Sequence, residues 1–154
     1  MKPRLPRDIQ MQCLWIVRGY ERCRREYNAR RRDIIDGGGA NYTTYTVNGE
    51  ERRAYMPGSH SASRTTEDKE MQLEALERTT VYKQMKAVEH ARDRVGAGLP
   101  DMLADLLKEA IMLNCASGRK YPFERLYIVG ISRAGFYRYR DSFLCDIANE
   151  LGML

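Results

Sequence analysis

Residues 121–144 read YPFERLYIVGISRAGFYRYRDSFL, and this stretch decides the fold that we predict for the last third of the chain. Pro122 favours the start of a short helix, Gly130 a turn, and Ser132 the N-cap of a final helix. A short helix, a glycine turn and a capped helix form the helix-turn-helix pattern. The apolar residues that such a pattern needs for packing are Val129 and Ile131 beside the turn, and Phe136, Tyr139, Phe143 and Ile147 along the final helix.

The opposite face of the final helix carries basic and aromatic side chains. On a helical wheel, Arg133, Ala134, Tyr137, Arg138 and Asp141 fall away from the apolar stripe. The first turns of such a helix contact base edges in the major groove, where arginine suits guanine. We therefore predict that Arg133, Tyr137 and Arg138 read bases, and that Ser132, Arg140 and Lys120 bind phosphates. The alternatives are a purely structural helical corner and a protein-binding surface.

The N-terminal segment carries the whole excess of positive over negative charge in the protein. The chain has a net charge of +5, and residues 1–35 hold ten Lys/Arg against four Asp/Glu. Apolar residues recur at helical spacing from Leu5 to Ile35, which predicts one long amphipathic helix. Its arginines either form a solvated face or contact phosphates; the candidate phosphate contacts are Arg24, Arg25, Arg30, Arg31 and Arg32.

The middle of the chain combines a glycine-rich segment with a second helical pattern. Residues 36–66 lack a helical period and predict a linker of low order, with a type I′ β-hairpin at Asn48-Gly49. The GGG of residues 37–39 lacks the context of a phosphate-binding loop. Residues 67–95 predict a second long helix that folds back on the first, or pairs between subunits. Its carboxylates at Glu70, Glu74 and Glu77 could then face the arginines of the first helix.

Composition favours a soluble globular protein over a secreted, membrane or metal-binding one. A chain of 154 residues with four cysteines outside any zinc-binding spacing favours one soluble core with free, buried thiols. The sequence contains no secretory signal and no apolar run long enough to span a bilayer, so we expect a cytoplasmic protein without a membrane partner. His60 and His90 lack a nucleophile or ligand partner, so we expect no enzyme, no cofactor and no metal site.

The last third of the chain also resembles a known family. The segment VGISRAGFYRYRDSFL, within residues 99–151, is similar to the C-terminal region of phage and prophage late transcription regulators of the ArpU/RinA type. More distantly, it resembles the DNA-binding fourth region of sigma-70-type factors. The resemblance implies that Ser132 and Arg133 open a recognition helix with Tyr137 and Arg138 on its exposed side. It also implies binding to a promoter upstream of late genes and contact with RNA polymerase.

The sequence therefore predicts a mainly α protein with a long helical hairpin, a C-terminal helix-turn-helix bundle and a small β-hairpin in the central loop. We expect a hairpin region at 1–98, a DNA-binding region at 99–154, and sequence-specific binding of double-stranded DNA, with a homodimer and RNA polymerase as candidate partners. One alternative is a DNA-packaging adaptor of small-terminase type, which would form a ring. Another is an all-helical interaction protein that does not bind DNA.

Overall fold

The structure, a computed structural model, describes residues 4–36, 42–55 and 66–154, and is mainly helical with one small antiparallel sheet. This confirms the predicted fold class. The described parts of the chain contain seven helices and two strands: α1 (Arg7–Arg18), α2 (Tyr20–Ile35), β1 (Tyr42–Val47), β2 (Glu50–Tyr55), α3 (Thr66–Leu76), α4 (Thr80–Arg94), α5 (Asp101–Ala116), α6 (Phe123–Leu126) and α7 (Arg133–Glu150).

The helix predicted from Leu5 to Ile35 is two helices, α1 and α2, which meet at Gly19. The break is local, because the Gly19 N–H still donates to the Trp15 carbonyl at 3.0 Å and the Gly19 carbonyl accepts from Cys23 N–H at 3.0 Å. Glycine is a poor helix former, which explains why the helix is divided there. The predicted seam nevertheless faces inward, with its central residues Cys13, Tyr20 and Cys23 buried.

The second long helical pattern is also divided, into α3 and α4. The division lies at Thr79, whose hydroxyl accepts a hydrogen bond from the Tyr82 N–H at 3.3 Å and donates one to the Leu76 carbonyl at 2.7 Å. A threonine that hydrogen-bonds to the backbone in this way competes with the helical ladder and favours a helix start. The single helix predicted over residues 67–95 was therefore wrong at this point.

By its internal contacts the chain divides into two compact units, one of which spans residues 24–82. In this unit the Lys69 ammonium, near the start of α3, donates to the Ile35 carbonyl at the end of α2 over 3.1 Å. Tyr82, early in α4, packs on Tyr27 of α2 with ring centroids 5.2 Å apart. The segment from Lys69 to Tyr82 thus runs antiparallel to α2 within this unit, and the hairpin region predicted over residues 1–98 stays a prediction.

Strands β1 and β2 of the same unit form the predicted β-hairpin, with pairs running from Tyr42↔Tyr55 to Val47↔Glu50. Asn48 and Gly49 connect them with φ values of 53° and 82°. Positive φ at both positions is the requirement of a type I′ turn, and it explains why Asn-Gly is favoured there. The remainder of the predicted linker, residues 37–41 and 56–65 with the GGG segment and His60, lies outside the described residues.

The other unit joins residues 1–23 with residues 83–154. The sequence predicted a boundary between residues 98 and 99, but in this unit α1 packs on both α5 and α7, which brings the N-terminal helix into the C-terminal bundle. The core of the unit comprises Cys13, Val17, Met85, Val88, Leu107, Ile111, Phe136, Phe143, Leu144 and Ile147. The predicted burial of the cysteines is confirmed at all four positions, and burial raises the pKa of Cys115 to about 12.

Polar contacts join the helices of this unit at its edges. The Tyr20 hydroxyl donates to the Glu89 carboxylate at 2.9 Å, and the Arg18 Nε donates to the Cys115 carbonyl at 3.0 Å. The exposed His90 lies with its Nδ1 2.6 Å from the Glu150 carboxylate, and so pairs α4 with the end of α7. None of the helices in the described ranges combines the length and the apolar character that crossing a membrane requires.

Candidate nucleic-acid interface

The candidate interface is built from the end of α5, the short helix α6 and the first turns of α7. Helix α6 has four residues and follows Pro122. The chain then passes through two left-handed residues, Tyr127 with φ 52° and Gly130 with φ 95°. This confirms the predicted order of short helix, glycine turn and final helix. Because Gly130 has positive φ, a residue with a Cβ would be strained there.

Helix α7 begins as the sequence predicted. Ser132 is its N-cap, and the Ser132 hydroxyl accepts a hydrogen bond from the Gly135 N–H at 3.0 Å. This bond satisfies one of the backbone N–H groups that a helix start leaves without a partner. The cap holds the first turn of α7, and with it Arg133, in a defined position on the surface.

The packing that orients α7 differs partly from the prediction. Phe136, Phe143 and Ile147 are buried as expected. Val129, however, is 88% exposed, so its predicted role in locking the turn was wrong. The left-handed residues on either side of Val129 place it on the outside of the turn. Instead, Phe123 of α6 packs against Phe136, with ring centroids 5.5 Å apart.

Tyr137 lies between two arginines on the surface of α7. The Arg133 guanidinium carbon is 5.3 Å from the centroid of the Tyr137 ring, and that of Arg140 is 5.1 Å from it. Phe136 meets the same ring edge-on, with centroids 5.2 Å apart. Cation–π contacts of this kind restrict the rotation of both side chains more than an isolated position on a helix surface would. Tyr137 therefore organises the basic side chains predicted around it.

Arg133 also pairs with a residue that the sequence did not single out. The Arg133 Nε donates to the Glu124 carboxylate at 2.9 Å, and the two side chains are 67% and 60% exposed. The pKa of Glu124 is lowered, first by its own backbone N–H and then by the Arg133 guanidinium. The turn between α6 and α7 brings the two residues together, so this ion pair was not predictable from helical spacing.

Arg140 is placed inward rather than on the predicted phosphate-binding surface. Its side chain is 19% exposed, and its Nη1 donates to the Asn114 amide oxygen at 2.9 Å. Its Nε is buried without a hydrogen-bond partner within the described part of the chain. A guanidinium held in this way acts as a link between α5 and α7, so the role predicted for Arg140 is corrected to a structural one.

Asn114 is the second residue of this site that was not predicted from the sequence. It is 2% exposed, and its amide nitrogen donates to the Tyr121 carbonyl at 2.8 Å while its amide oxygen accepts from Arg140. One buried amide thus joins the end of α5, the segment before α6 and the middle of α7. The sequence feature that points to its role is the presence of a polar residue within the apolar stripe of α5, which also contains Ile111 and Cys115.

The remaining predicted residues of this surface, Ser132, Arg138 and Lys120, are exposed, as a ligand contact requires. Lys120 lies before α6, with its ammonium 5.4 Å from the centroid of the Tyr121 ring. Together with Arg133 and Tyr137, these residues form a basic and aromatic surface at the start of α7. We call residues Lys120, Ser132, Arg133, Tyr137 and Arg138 the α7 surface.

The arginines predicted on the first helix lie on α2. Arg24, Arg25, Arg30, Arg31 and Arg32 are all exposed. Arg30 pairs with Glu26 on the same helix at 2.6 Å. Glu74, which the sequence placed opposite this helix, pairs with Arg78 of its own segment at 3.7 Å. Exposed pairs such as Arg30–Glu26 contribute little to stability. Because their side chains are exposed, the α2 arginines are accessible to a polyanion.

The described residues contain no group of three or more His, Cys, Asp and Glu side chains placed to hold a metal ion. Comparisons with protein-family models, with curated proteins and with solved structures found no significant match.

Proposed function

We propose that this protein binds double-stranded DNA sequence-specifically through the α7 surface and regulates transcription, as a phage or prophage late-gene regulator. The observation that carries the proposal is the start of α7, where a capped helix after a left-handed glycine turn presents Arg133 and Arg138 to solvent. The resemblance of residues 99–151 to regulators of the ArpU/RinA type supports the biological role and suggests RNA polymerase as a partner.

The dimensions and chemistry of the α7 surface suit a major groove. An α-helix has a diameter of roughly 10–12 Å with its side chains, close to the width of the groove of B-form DNA. The groove displays guanine O6 and N7, which accept a bidentate contact from arginine. Arg133 and Arg138 are the arginines proposed to make such contacts, because they lie in the first turns of α7 and point into solvent.

Phosphate contacts supply the remaining affinity and the orientation on the duplex. Backbone N–H groups and the positive end of the helix dipole attract phosphate to the start of α7. Lys120 and the Ser132 hydroxyl lie on the same surface and are proposed to bind the flanking backbone. The exposed arginines of α2 add a sequence-independent attraction, in keeping with the net charge of +5.

Selection of a preferred duplex from a random pool, followed by fluorescence anisotropy on that duplex over a series of salt concentrations, tests the proposal. We expect the double variant Arg133→Ala, Arg138→Ala to bind at least tenfold more weakly, because each good base contact contributes about 1–3 kcal/mol. The matched control is Arg52→Ala, Arg78→Ala, which removes the same charge from exposed positions of the other unit. Equal weakening by both double variants would show that charge alone drives binding and would contradict the proposed interface.

A further inference from the structure

The ion pair between Glu124 and Arg133 places a carboxylate beside the basic residues of the α7 surface. An acidic residue there opposes the binding of phosphates, so electrostatic attraction to DNA does not account for it. An ion pair this exposed also adds little to folding stability. The geometry of the pair offers another role.

Glu124 engages one particular nitrogen of Arg133. The contact is made by Nε, at 2.9 Å, and within the described part of the chain it is the one hydrogen bond of the Arg133 guanidinium. The two terminal nitrogens are left for a ligand. A bidentate contact with guanine O6 and N7 uses such a pair of parallel N–H groups.

Tyr137 constrains the same guanidinium from its face. The Arg133 guanidinium carbon lies 5.3 Å from the Tyr137 ring centroid, while Arg140, anchored by Asn114, contacts the ring at 5.1 Å. The guanidinium is thus held at one edge by a carboxylate and on one face by a ring whose own position is restricted. Restricting a long side chain before binding lowers the conformational entropy lost on binding.

We propose that Glu124 is a positioning residue that orients Arg133 toward guanine, so that the protein prefers a guanine at one position of its DNA site. This inference rests on the proposed function and adds to it a base identity and a residue outside α7. Glu124 acts through Arg133, and its negative charge also weakens binding to DNA that lacks the guanine, because no base contact then offsets its repulsion from phosphate.

Selection from a random duplex pool, followed by sequencing, tests the inference with Glu124→Ala, Glu124→Gln and Asp93→Asn. We expect the wild-type protein to enrich a motif with one strongly preferred guanine. In Glu124→Ala the preference for that guanine should fall by roughly tenfold, while the base preferences at the other positions of the motif stay the same. The affinity for unselected DNA should rise or stay constant. Glu124→Gln retains an acceptor for the Arg133 Nε and should recover part of the preference.

Asp93→Asn is the matched control, since Asp93 is an exposed carboxylate on α4 of the same unit and lies outside the α7 surface. It removes one negative charge and should leave the motif unchanged. An unaltered guanine preference in Glu124→Ala, or an equal loss at every position, would overturn the inference while leaving the proposed function intact. A wild-type protein that enriches no motif would instead overturn sequence-specific binding itself.

Discussion

At the scale of single residues, the position of α7 depends on the buried amide of Asn114. Asn114 itself is 2% exposed, and its two hydrogen bonds, to the Tyr121 carbonyl and from Arg140, are partly buried. A buried polar group is costly once its partner is removed, and a guanidinium more so than a neutral group. We therefore expect Asn114 to contribute more to the free energy of unfolding than an exposed side chain of the same size.

We expect Asn114→Ala to lower the free energy of unfolding by about 2–3 kcal/mol, because it leaves the Arg140 Nη1 and the Tyr121 carbonyl without their partner. Urea denaturation followed by circular dichroism measures this change. The control is Asn149→Ala, at an exposed position of α7, which should change stability by less than about 0.5 kcal/mol. A loss as small at Asn114 as at Asn149 would show that Arg140 finds another partner.

The residues of the candidate site were predictable from sequence only where their role is local. Ser132 was found because an N-cap depends on the residues that directly follow it, and Phe136 because burial on a helix follows its period. Arg140 was misassigned and Glu124 was missed because their partners, Asn114 and Arg133, belong to other elements. No spacing rule connects residues that meet across a turn of irregular backbone.

At the scale of the elements, the turn between α6 and α7 sets the direction of the final helix. Its geometry depends on Gly130, with φ 95° and an environment in which a Cβ would meet only the Leu103 side chain, at 3.9 Å. The space is sufficient, so the cost of a larger residue comes from the backbone alone.

We expect Gly130→Ala to destabilise the protein by about 1–2 kcal/mol and to weaken DNA binding through the altered position of α7. Gly118→Ala is the control, since its Cβ would meet only the Asn114 carbonyl oxygen, at 3.8 Å, with no positive φ. Thermal unfolding and anisotropy on the same samples measure both effects. Equal stability and affinity for the two variants would contradict the importance of the turn.

The contact between α2 and α4 should make stability depend on pH. Partial burial of Glu89 raises the pKa of its carboxyl, but hydrogen bonds from Lys86 and Tyr20 outweigh burial and hold the pKa below its ordinary value of 4.5. A carboxyl with a lowered pKa stabilises the folded state above its unfolded pKa, and this stabilisation is lost as pH falls.

We therefore expect the free energy of unfolding to decrease as the pH drops below about 4.5, with a shallower decrease in Glu89→Gln. Urea denaturation at a series of pH values gives the two slopes. Glu74→Gln, on the exposed surface of α3, controls for the general loss of a carboxylate. If wild type and Glu89→Gln have the same slope, the Glu89 contacts contribute nothing to folding.

The elements themselves were largely predictable, and the exceptions have local causes. Asn48-Gly49 predicted its hairpin because few dipeptides tolerate positive φ at both positions. The breaks at Gly19 and Thr79 were missed because the apolar stripe continues across each of them. An apolar period reports which face is buried, but it is insensitive to a short local change of backbone conformation.

At the scale of the whole molecule, the sequence did not predict how the ends of the chain combine. Helix α1 belongs to the same compact unit as α5 and α7, although 82 residues separate it from α5 and 114 from α7. Their amphipathic patterns specify an apolar face for each helix without specifying the partner. The charge distribution, in contrast, follows from sequence directly, and it places exposed arginines on α2 and on α7.

These two basic surfaces provide the most direct test of the central claim, which is that α7 rather than α2 contacts the bases. The measurement is the change in backbone amide shifts of the full-length protein on titration with a short duplex, recorded at physiological salt. We expect the largest changes at residues 130–138 and around Lys120 and Glu124, with smaller ones along α2. Changes confined to α2, or none at all, would contradict the proposed interface.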